Sequence, residues 1–222
     1  AFSMAPIHGR LQHFADKLIS THTMDIPVIM KKASDIFQSV TTMDALLIQF
    51  SELLKTALGV EDMKIFLSVD STYVQRYPAN KHDNKNVLYN NSVISNLVLE
   101  TRDPIGSDSL VRARQTSTTR KALVELHELK TNLAAGIFSK SGLMGLVLFG
   151  ARRGGRIYDK NEQDALQILC NQFAVALENA RLYTEMQDNK IRNDIMLDQL
   201  ANGVIMADIE RRITLINSEA QH

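Results

Sequence analysis

The chain has 222 residues, of which 45% are hydrophobic and 23% charged, so it holds enough apolar material for a folded core and global disorder is excluded. Its 25 Lys and Arg residues balance its 25 Asp and Glu residues, which argues against a nucleic-acid coat or a polybasic membrane-surface domain. The single cysteine, Cys170, excludes an internal disulfide and favours a reducing, cytoplasmic compartment.

The N-terminal part of the chain is predicted to be helical. Apolar residues recur at helical spacing over residues 10–22, and a second helix runs from near Pro27, where proline is tolerated in a first turn, to about Val40. Thr41 begins a capping-box pattern that starts a third helix, and Gly59 is placed to end it.

After this helical part the sequence takes on the pattern of short strands and helices. Three segments are predicted as strands: Met63–Val69, Tyr73–Tyr77 and Val87–Tyr89. A polar loop over residues 79–86 precedes the last of them. Helical spacing returns over Ser92–Glu100, and one or two helices are predicted between Ser109 and Leu129.

The strongest β signal is a hairpin. Leu133–Phe138 and Leu143–Gly150 are both apolar, and the residues between them, 139–142, form a turn. Because both arms are apolar at nearly every position, we expect a central pair of strands with both faces covered.

A long helix is predicted from Asn161 to Leu200, because no proline or glycine interrupts these 40 residues. Gly203 ends it, and two short strands follow, Val204–Asp208 and Ile213–Ile216. Since two strands alone do not make a stable domain, the chain is expected to enter a second domain here.

The long helix carries two stripes. The first is expected to pack on the sheet and consists of Leu166, Leu169, Cys170, Phe173, Leu177 and Ala180. The second follows coiled-coil spacing and consists of Ile168, Gln172, Val175, Asn179, Leu182, Met186, Asn189, Asn193, Met196 and Leu200. Polar residues in such a seam lower its stability but specify its register. We expect a parallel homodimer, loosely held beyond Leu182; the alternative is a single solvated helix.

Three motifs resemble those of the GAF family, a fold of small-molecule sensors. Gly142–Gly150 looks like the family's penultimate strand, and Ala174–Tyr183 is close to the ending of its last helix. Tyr158–Asp159 with Asp164–Leu166 looks like the start of that helix. The resemblance implies an α+β fold with a central antiparallel β-sheet flanked by helices, whose long N- and C-terminal helices form a dimer bundle.

Two further resemblances flank this region. Leu197–Gln221 looks like the opening of a PAS domain, and the residues that fill its pattern are Gly203, Val204, Asp208, Ile213, Asn217 and Ala220. Arg10–Leu18 looks like the stretch that follows the membrane helices of some sensor histidine kinases, although Met24–Pro27 departs from that family's continuation.

Together the resemblances imply four segments. They are a helical juxtamembrane-type linker over residues 1–39, a GAF domain over 40–184, a coiled-coil signalling helix over 185–200 and the start of a PAS domain over 201–222. They imply a non-catalytic sensory and dimerisation module of a two-component histidine kinase, cytoplasmic itself, whose parent protein is tethered to the inner membrane. The alternatives are a sensor of a diguanylate cyclase or a transcription activator, or a ligand-free dimer spacer.

If a ligand binds, the family's fold places it between the sheet and the helices of residues 92–129. The pocket residues expected by this analogy are Phe66, Ile94, Leu97, Arg102, Leu110, Arg114 and Phe138. No cofactor is expected, although an unidentified small molecule is an open alternative, and the six histidines show no metal-ligand spacing.

Two other motifs are interpreted as structural. His127–Glu128 resembles the phospho-acceptor box of histidine kinases, but a strand hairpin follows it where that box needs a second long helix. Arg152–Arg156 is basic and is interpreted as a solvated turn rather than as a phosphate site. Cys170 lies on the buried stripe, which argues against a bilin attachment site and against the cysteine chemistry by which some members of the fold reduce methionine sulfoxide.

Overall fold

The computed structural model describes residues 25–70, 72–79, 87–89, 91–199 and 202–221. The helix predicted over residues 10–22 and the resemblance at Arg10–Leu18 lie outside these ranges. No helix in the described part of the chain combines the length and the apolar character needed to cross a membrane.

Six helices are described in chain order: α1 Ile26–Ser39, α2 Met43–Leu58, α3 Val93–Thr101, α4 Ser107–Arg112, α5 Ser117–Glu128 and α6 Lys160–Asp198. The described strands are β1 Met63–Val69, β2 Thr72–Tyr77, β3 Val87–Tyr89, β4 Ile105–Gly106, β5 Leu133–Ser139, β6 Gly142–Phe149, β7 Ile205–Ala207 and β8 Ile213–Ile216. All six helices overlap segments that were predicted to be helical, whereas strand β4 was not predicted.

The first six strands form one antiparallel sheet in the order β3-β2-β1-β6-β5-β4. The predicted hairpin is present as β5 and β6, and β6 lies in the interior of the sheet, between β1 and β5. Its turn is shorter than expected: β5 ends at Ser139 and β6 begins at Gly142, which adopts a φ of +124° that L side chains rarely adopt.

Apolar side chains cover both faces of this sheet. Along β6, Val147 and Phe149 pack against α1, α2 and α6, whereas Leu146 and Leu148 pack against α3 and α5. Since successive side chains of a strand point to opposite faces, a strand with both faces buried is apolar throughout. This is the reason that the hairpin sequence is almost continuously apolar.

Local capping sets the helix ends. Asp25 accepts a hydrogen bond from the backbone N–H of Val28 at 3.3 Å and caps α1. The predicted capping box at Thr41 is wrong, because α2 begins one residue later and its N-cap, Thr42, makes no side-chain capping bond. Gly59 ends α2 in the left-handed conformation (φ 65°), as predicted.

Beyond α6, strands β7 and β8 form a separate antiparallel hairpin. The buried Asn217 holds it closed: its Oδ1 accepts from Val204 N at 2.7 Å and from Ala220 N at 3.1 Å, and its Nδ2 donates to Asn202 O at 3.0 Å. Gly203 lies against the same turn, since a Cβ there would come within 2.9 Å of the Ala220 Cα. The polar and small residues of the predicted PAS pattern therefore contact one another.

Candidate functional site

The seven residues expected to line a pocket lie on the α3 and α5 side of the sheet. Phe66 and Ile94 are buried in the apolar cluster between the sheet and these helices. The residues that pack partly buried against that cluster are Leu97, Leu110 and Phe138. Arg102, at the C-cap of α3, places its guanidinium carbon 5.5 Å from the centre of the Phe138 ring. Arg114 is exposed, and its backbone carbonyl accepts from the Thr116 N–H at 2.9 Å and from the Thr119 hydroxyl at 3.2 Å.

Side chains fill much of the space between β5 and α3. The Phe138 ring lies so close over Gly136 that a Cβ there would meet the ring carbon Cε2 at 2.4 Å and the Val98 Cγ1 at 2.8 Å. Three clefts with volumes of about 390 to 560 Å³ are lined by other described residues, and none of the seven expected residues lines any of these three. The expected pocket therefore stays a prediction.

The largest of these clefts lies beside β3, the start of α3 and residues 120–128 of α5. It has a volume of about 560 Å³. The other two follow the exposed end of α6 and the C-terminal end of α2.

A buried polar contact joins β5 to α6. Gln167 Nε2 donates to the Gly136 carbonyl at 2.8 Å and to Asn171 Oδ1 at 2.9 Å. Its Oε1 is buried and has no hydrogen-bond partner among the described residues. β4 pairs only with Leu133 and Ala134 and does not reach Gly136, and Gln167 supplies a donor to the Gly136 carbonyl.

The interpretation of Arg152–Arg156 as a solvated turn is wrong at its first residue. The Arg152 side chain is 3% exposed, and its guanidinium lies 2.6 Å from the equally buried Glu162 Oε2. Arg152 Nε also donates to the Leu58 carbonyl at 3.0 Å, so it joins the end of α2 to the start of α6. The neighbouring Arg153 and Gly154 are exposed, as a solvated turn would be.

The Tyr158–Asp159 motif builds the start of α6. Asp159 Oδ1 accepts from Glu162 N at 2.8 Å, and Glu162 Oε2 accepts from Asp159 N at 3.2 Å, which is a reciprocal capping box. The Tyr158 hydroxyl donates to the Gly150 carbonyl at 2.7 Å, and burial of the ring raises the pKa of that hydroxyl well above its usual value. Residues that looked like a family signature thus act by fixing the helix N-terminus.

His127 and Glu128 end α5, and β5 follows at Leu133. Both side chains are exposed. This is the helix-to-strand junction expected of a structural segment, and it lacks the two-helix hairpin that a phospho-acceptor box needs. Among the described residues, no group of three or more His, Cys, Asp or Glu side chains converges in a way that could hold a metal ion.

The first stripe of α6 is buried as predicted, whereas the second faces solvent. The six residues of the first stripe are between 0% and 3% exposed. The apolar members of the second stripe for which exposure is described are 50–59% exposed: Ile168, Val175, Leu182, Met186 and Met196. The side chains of Asn193 and Leu200 lie outside the described residues.

Cys170 is expected to resist alkylation in the folded chain. Its thiol is completely buried, and burial raises its pKa to about 12, so the reactive thiolate is scarce near neutral pH. We expect iodoacetamide at pH 8 to modify the folded chain at least about 100-fold more slowly than the urea-unfolded chain, measured by mass spectrometry. Similar rates in the two states would place the thiol at the surface and reopen a redox role.

Comparisons with known proteins agree with this architecture. No protein-family model matches the sequence, and no curated protein matches it significantly. Among solved structures, the GAF domain of a phosphoenolpyruvate-protein phosphotransferase from Coxiella burnetii matches with a TM-score of 0.55 and 19% identity, covering 75% of this chain and 99% of that one.

Two further structures show the range of proteins that share the fold. A methyl-accepting chemotaxis protein, residues 122 to 287, matches with a TM-score of 0.53 and 16% identity over 68% of this chain and 98% of that one. The fRMsr of Staphylococcus aureus, in complex with substrate, matches with a TM-score of 0.50 and 14% identity over 69% and 96%. The chain therefore has the GAF fold, which signalling proteins and at least one substrate-binding enzyme share, so the fold alone does not assign the activity.

Proposed function

We propose that the chain is a non-catalytic sensory and dimerisation module of a two-component histidine kinase. In this proposal two copies pair through α6, and a change in the packing of the paired helices passes to a PAS domain and then to a kinase. The observation that carries the proposal is α6 itself: it runs for 39 residues, past the sheet, and keeps an exposed apolar stripe at coiled-coil spacing.

The exposed apolar stripe supports pairing, because exposure of these side chains to water is unfavourable for a single chain. Its apolar members face water on the same side of α6, and solvent-exposed apolar stripes of this kind are typical of interaction surfaces. A second copy of the same helix is complementary to it, because seam residues of one helix pack between those of its partner. The pairing would begin beside the sheet at Ile168 and continue to Met196.

Charge favours a parallel arrangement. In a parallel pair, the residue that precedes one seam position lies opposite a residue of the partner that is five positions later in the sequence. That partner residue follows the next seam position. Glu185 and Lys190 occupy such positions, so a parallel dimer places each glutamate opposite a lysine of the other copy. Both side chains are exposed, and Glu185 also lies 3.7 Å from Arg181 of its own helix.

The seam beyond Leu182 is polar enough to hold two packings of similar energy. Asn189 and Asn193 occupy seam positions there, where asparagine lowers stability and specifies register. A relay needs a small free-energy difference between two states, because a ligand shifts their populations only by its difference in affinity for them. A fully apolar seam would hold one state too firmly.

The hairpin after α6 supports a PAS domain downstream. Gly203, Asn217 and Ala220 of the PAS-like pattern make the contacts that close the hairpin. Several large apolar side chains of the hairpin are exposed: Ile205, Met206, Ile209, Ile213 and Ile216. Because a two-stranded hairpin is marginal alone, further strands of a PAS domain would cover these residues.

The histidine-kinase output rests on the sequence resemblances on either side of the fold. The related folds in a phosphotransferase and a chemotaxis protein support a role in signalling in general. A diguanylate cyclase or a transcription activator would use the same module, and so would a ligand-free dimer spacer. We propose a cytoplasmic position, with the parent protein tethered to the inner membrane.

A catalytic role like that of fRMsr, the enzyme with the same fold, is a weaker proposal than the signalling role. The sole cysteine, Cys170, is completely buried. A thiol that substrate and solvent do not reach is a poor nucleophile.

The dimer is tested by placing charges in the seam. The double variant V175D/L182D is expected to raise the dimer dissociation constant at least about 100-fold, because it puts four carboxylates into one dimer's interface. The matched control is I191D/I195D, which changes two equally exposed isoleucines on the opposite face of α6 and should leave the dimer intact. Light scattering after size-exclusion chromatography measures the mass of each.

Two outcomes contradict the proposal. One is a monomer at high concentration for both the unmodified chain and the variant N189L/N193L, whose apolar seam should bind more tightly. The other is equal dissociation of V175D/L182D and I191D/I195D, which would locate the interface elsewhere.

A further inference from the structure

Residues 109–124 concentrate positive charge in a chain whose total charge is zero. Four of these residues are basic and none is acidic. They cover the end of α4, the turn after it and the first part of α5. We propose that this segment docks on a membrane surface, where its cations bind anionic lipid headgroups and two valines reach the apolar layer beneath them. The side chains of this basic face are Val111, Arg112, Arg114, Arg120, Lys121 and Val124.

A tight turn brings the cations of α4 close to those of α5. The Arg114 carbonyl accepts from the Thr116 N–H at 2.9 Å and from the Thr119 hydroxyl at 3.2 Å. α5 begins at Ser117, so the positive end of its dipole falls between Arg114 and Arg120 in the chain. The backbone of the turn therefore adds to the positive potential of the side chains around it.

The basic face points away from the core of the protein. Residues 111–118 are exposed without a break. Ala122 and Leu126 are buried and mark the side of α5 that packs on the core. Arg120 and Lys121 are exposed, because helical spacing turns them away from that side. A flat surface can therefore reach the cations of both helices.

The four cations lack anionic partners in the part of the chain that the structure describes. None of them takes part in an ion pair or in a side-chain hydrogen bond with a described residue. Glu125, the first acidic residue after them, is engaged elsewhere, since its Oε2 accepts from the Val93 N–H at 2.8 Å. Each free cation beside an anionic membrane is expected to strengthen binding about fivefold.

Two exposed valines favour a lipid surface over other polyanions. Val111 is 63% exposed and Val124 is 57% exposed. A bilayer offers an apolar layer directly beneath its negative groups, so it accommodates the cations and the valines together. Residues 109–124 include no aromatic side chain on which the bases of a nucleic acid could stack.

The shape of the basic face also favours a membrane. Val111, Arg112 and Arg114 line none of the three clefts described above. A bound peptide usually lies in a groove or along the edge of a sheet, whereas a membrane needs an open surface. Docking here goes beyond the proposed signalling role and does not depend on the dimer, because none of these residues lies on α6.

The test is cosedimentation of the full chain with lipid vesicles at low salt. The chain is expected to bind phosphatidylcholine vesicles that contain about one-third phosphatidylglycerol at least about 30-fold more strongly than pure phosphatidylcholine vesicles. R112Q/R114Q/R120Q/K121Q should lose this difference, and salt should weaken the binding of the unmodified chain. V111S/V124S is expected to bind the anionic vesicles about threefold to tenfold more weakly, because it removes the apolar contact.

The matched control is K31Q/K32Q/R76Q/K140Q, which removes four exposed cations elsewhere and changes the total charge equally. It should bind anionic vesicles within about threefold of the unmodified chain, and circular dichroism confirms that each variant is folded. Equal losses in the two quadruple variants would overturn the basic face, because total charge alone would then explain binding.

Three further outcomes would overturn the proposal. The first is equal binding to the anionic and the neutral vesicles. The second is binding to single-stranded DNA, lost in R112Q/R114Q/R120Q/K121Q, without binding to vesicles, which would indicate a nucleic-acid surface. The third is binding to polyglutamate as strong as to anionic vesicles and unchanged in V111S/V124S, which would indicate a surface for acidic proteins.

Discussion

Replacing Arg152 by methionine is expected to destabilise the fold by about 3–5 kcal/mol, because it removes one partner of a buried ion pair. Glu162 would stay buried without its cation, and its Oε1 already has no hydrogen-bond partner among the described residues. The Leu58 carbonyl would also lose its donor. Urea unfolding followed by circular dichroism measures the change in the free energy of unfolding.

Arg153→Met is the matched control for this prediction. Arg153 lies 3.1 Å from Glu61, but both side chains are more than 70% exposed, at 75% and 73%. Water and salt screen such a pair, so its loss should cost less than about 1 kcal/mol. Equal effects of the two substitutions would show that Arg152 is not held in a dry environment.

A double variant separates the charge from the packing. In R152M/E162M, both charges are replaced by flexible apolar side chains, and we expect it to be more stable than R152M alone. If it is no more stable, the loss in R152M comes from packing or from the Leu58 contact rather than from the stranded carboxylate. Because the pair fixes the first turn of α6, either result also shows how firmly the proposed signalling helix is anchored.

Phe173→Ala is expected to cost about 3–5 kcal/mol, which is the range for removing a large aromatic side chain from a packed core. The Phe173 ring stacks on Phe50 with ring centres 4.1 Å apart, and Phe37 lies 5.9 Å away. These three rings join α6 to α2 and α1, so the substitution leaves a cavity where three helices meet. Thermal and urea unfolding both report it.

Ile48→Ala controls for the loss of apolar area as such. Ile48 lies on α2, as Phe50 does, but it is 54% exposed, so its truncation should change stability by no more than about 0.5 kcal/mol. Phe173→Leu, which keeps more of the volume, should be less destabilising than Phe173→Ala. If Phe173→Ala and Ile48→Ala have similar effects, the three rings do not form a tight core.

The sequence resemblance led to a ligand site between the sheet and the helices of residues 92–129, but not to the residues that line the cleft beside β3. Val87 and Tyr89 are far from Val124 along the chain, and each alone looks like an ordinary strand or helix residue. The fold brings β3 and α5 together, and that juxtaposition creates the cleft. A partial signal did exist in Arg120 and Lys121, which are adjacent cations, but adjacent charges on a helix are usually solvated.

The sequence by itself determined the features that depend on periodicity. The spacing of Leu166, Phe173 and Leu177 was sufficient to identify the buried face of α6. The unbroken apolar arms of the hairpin identified two strands with buried faces, of which β6 lies in the interior of the sheet and β5 is bordered only by the two-residue β4. These patterns are local, since a helix or a strand repeats its burial every few residues. The motifs that resemble the GAF family likewise led to the fold that the solved structures share.

Only the tertiary structure decided which polar groups are buried. Arg152 looked like part of a solvated turn because its partners are distant: the Leu58 carbonyl is 94 residues away in sequence, and Glu162 is brought close by the start of α6. The same holds for Gln167, whose partner carbonyl on Gly136 lies 31 residues away. Strand β4 was not predicted, because its two residues form a strand only by pairing with β5, which is distant in sequence. Burial of a charge or an amide requires partners, distant in sequence, whose hydrogen bonds or charges offset the desolvation penalty. No local sequence pattern encodes where those partners will lie.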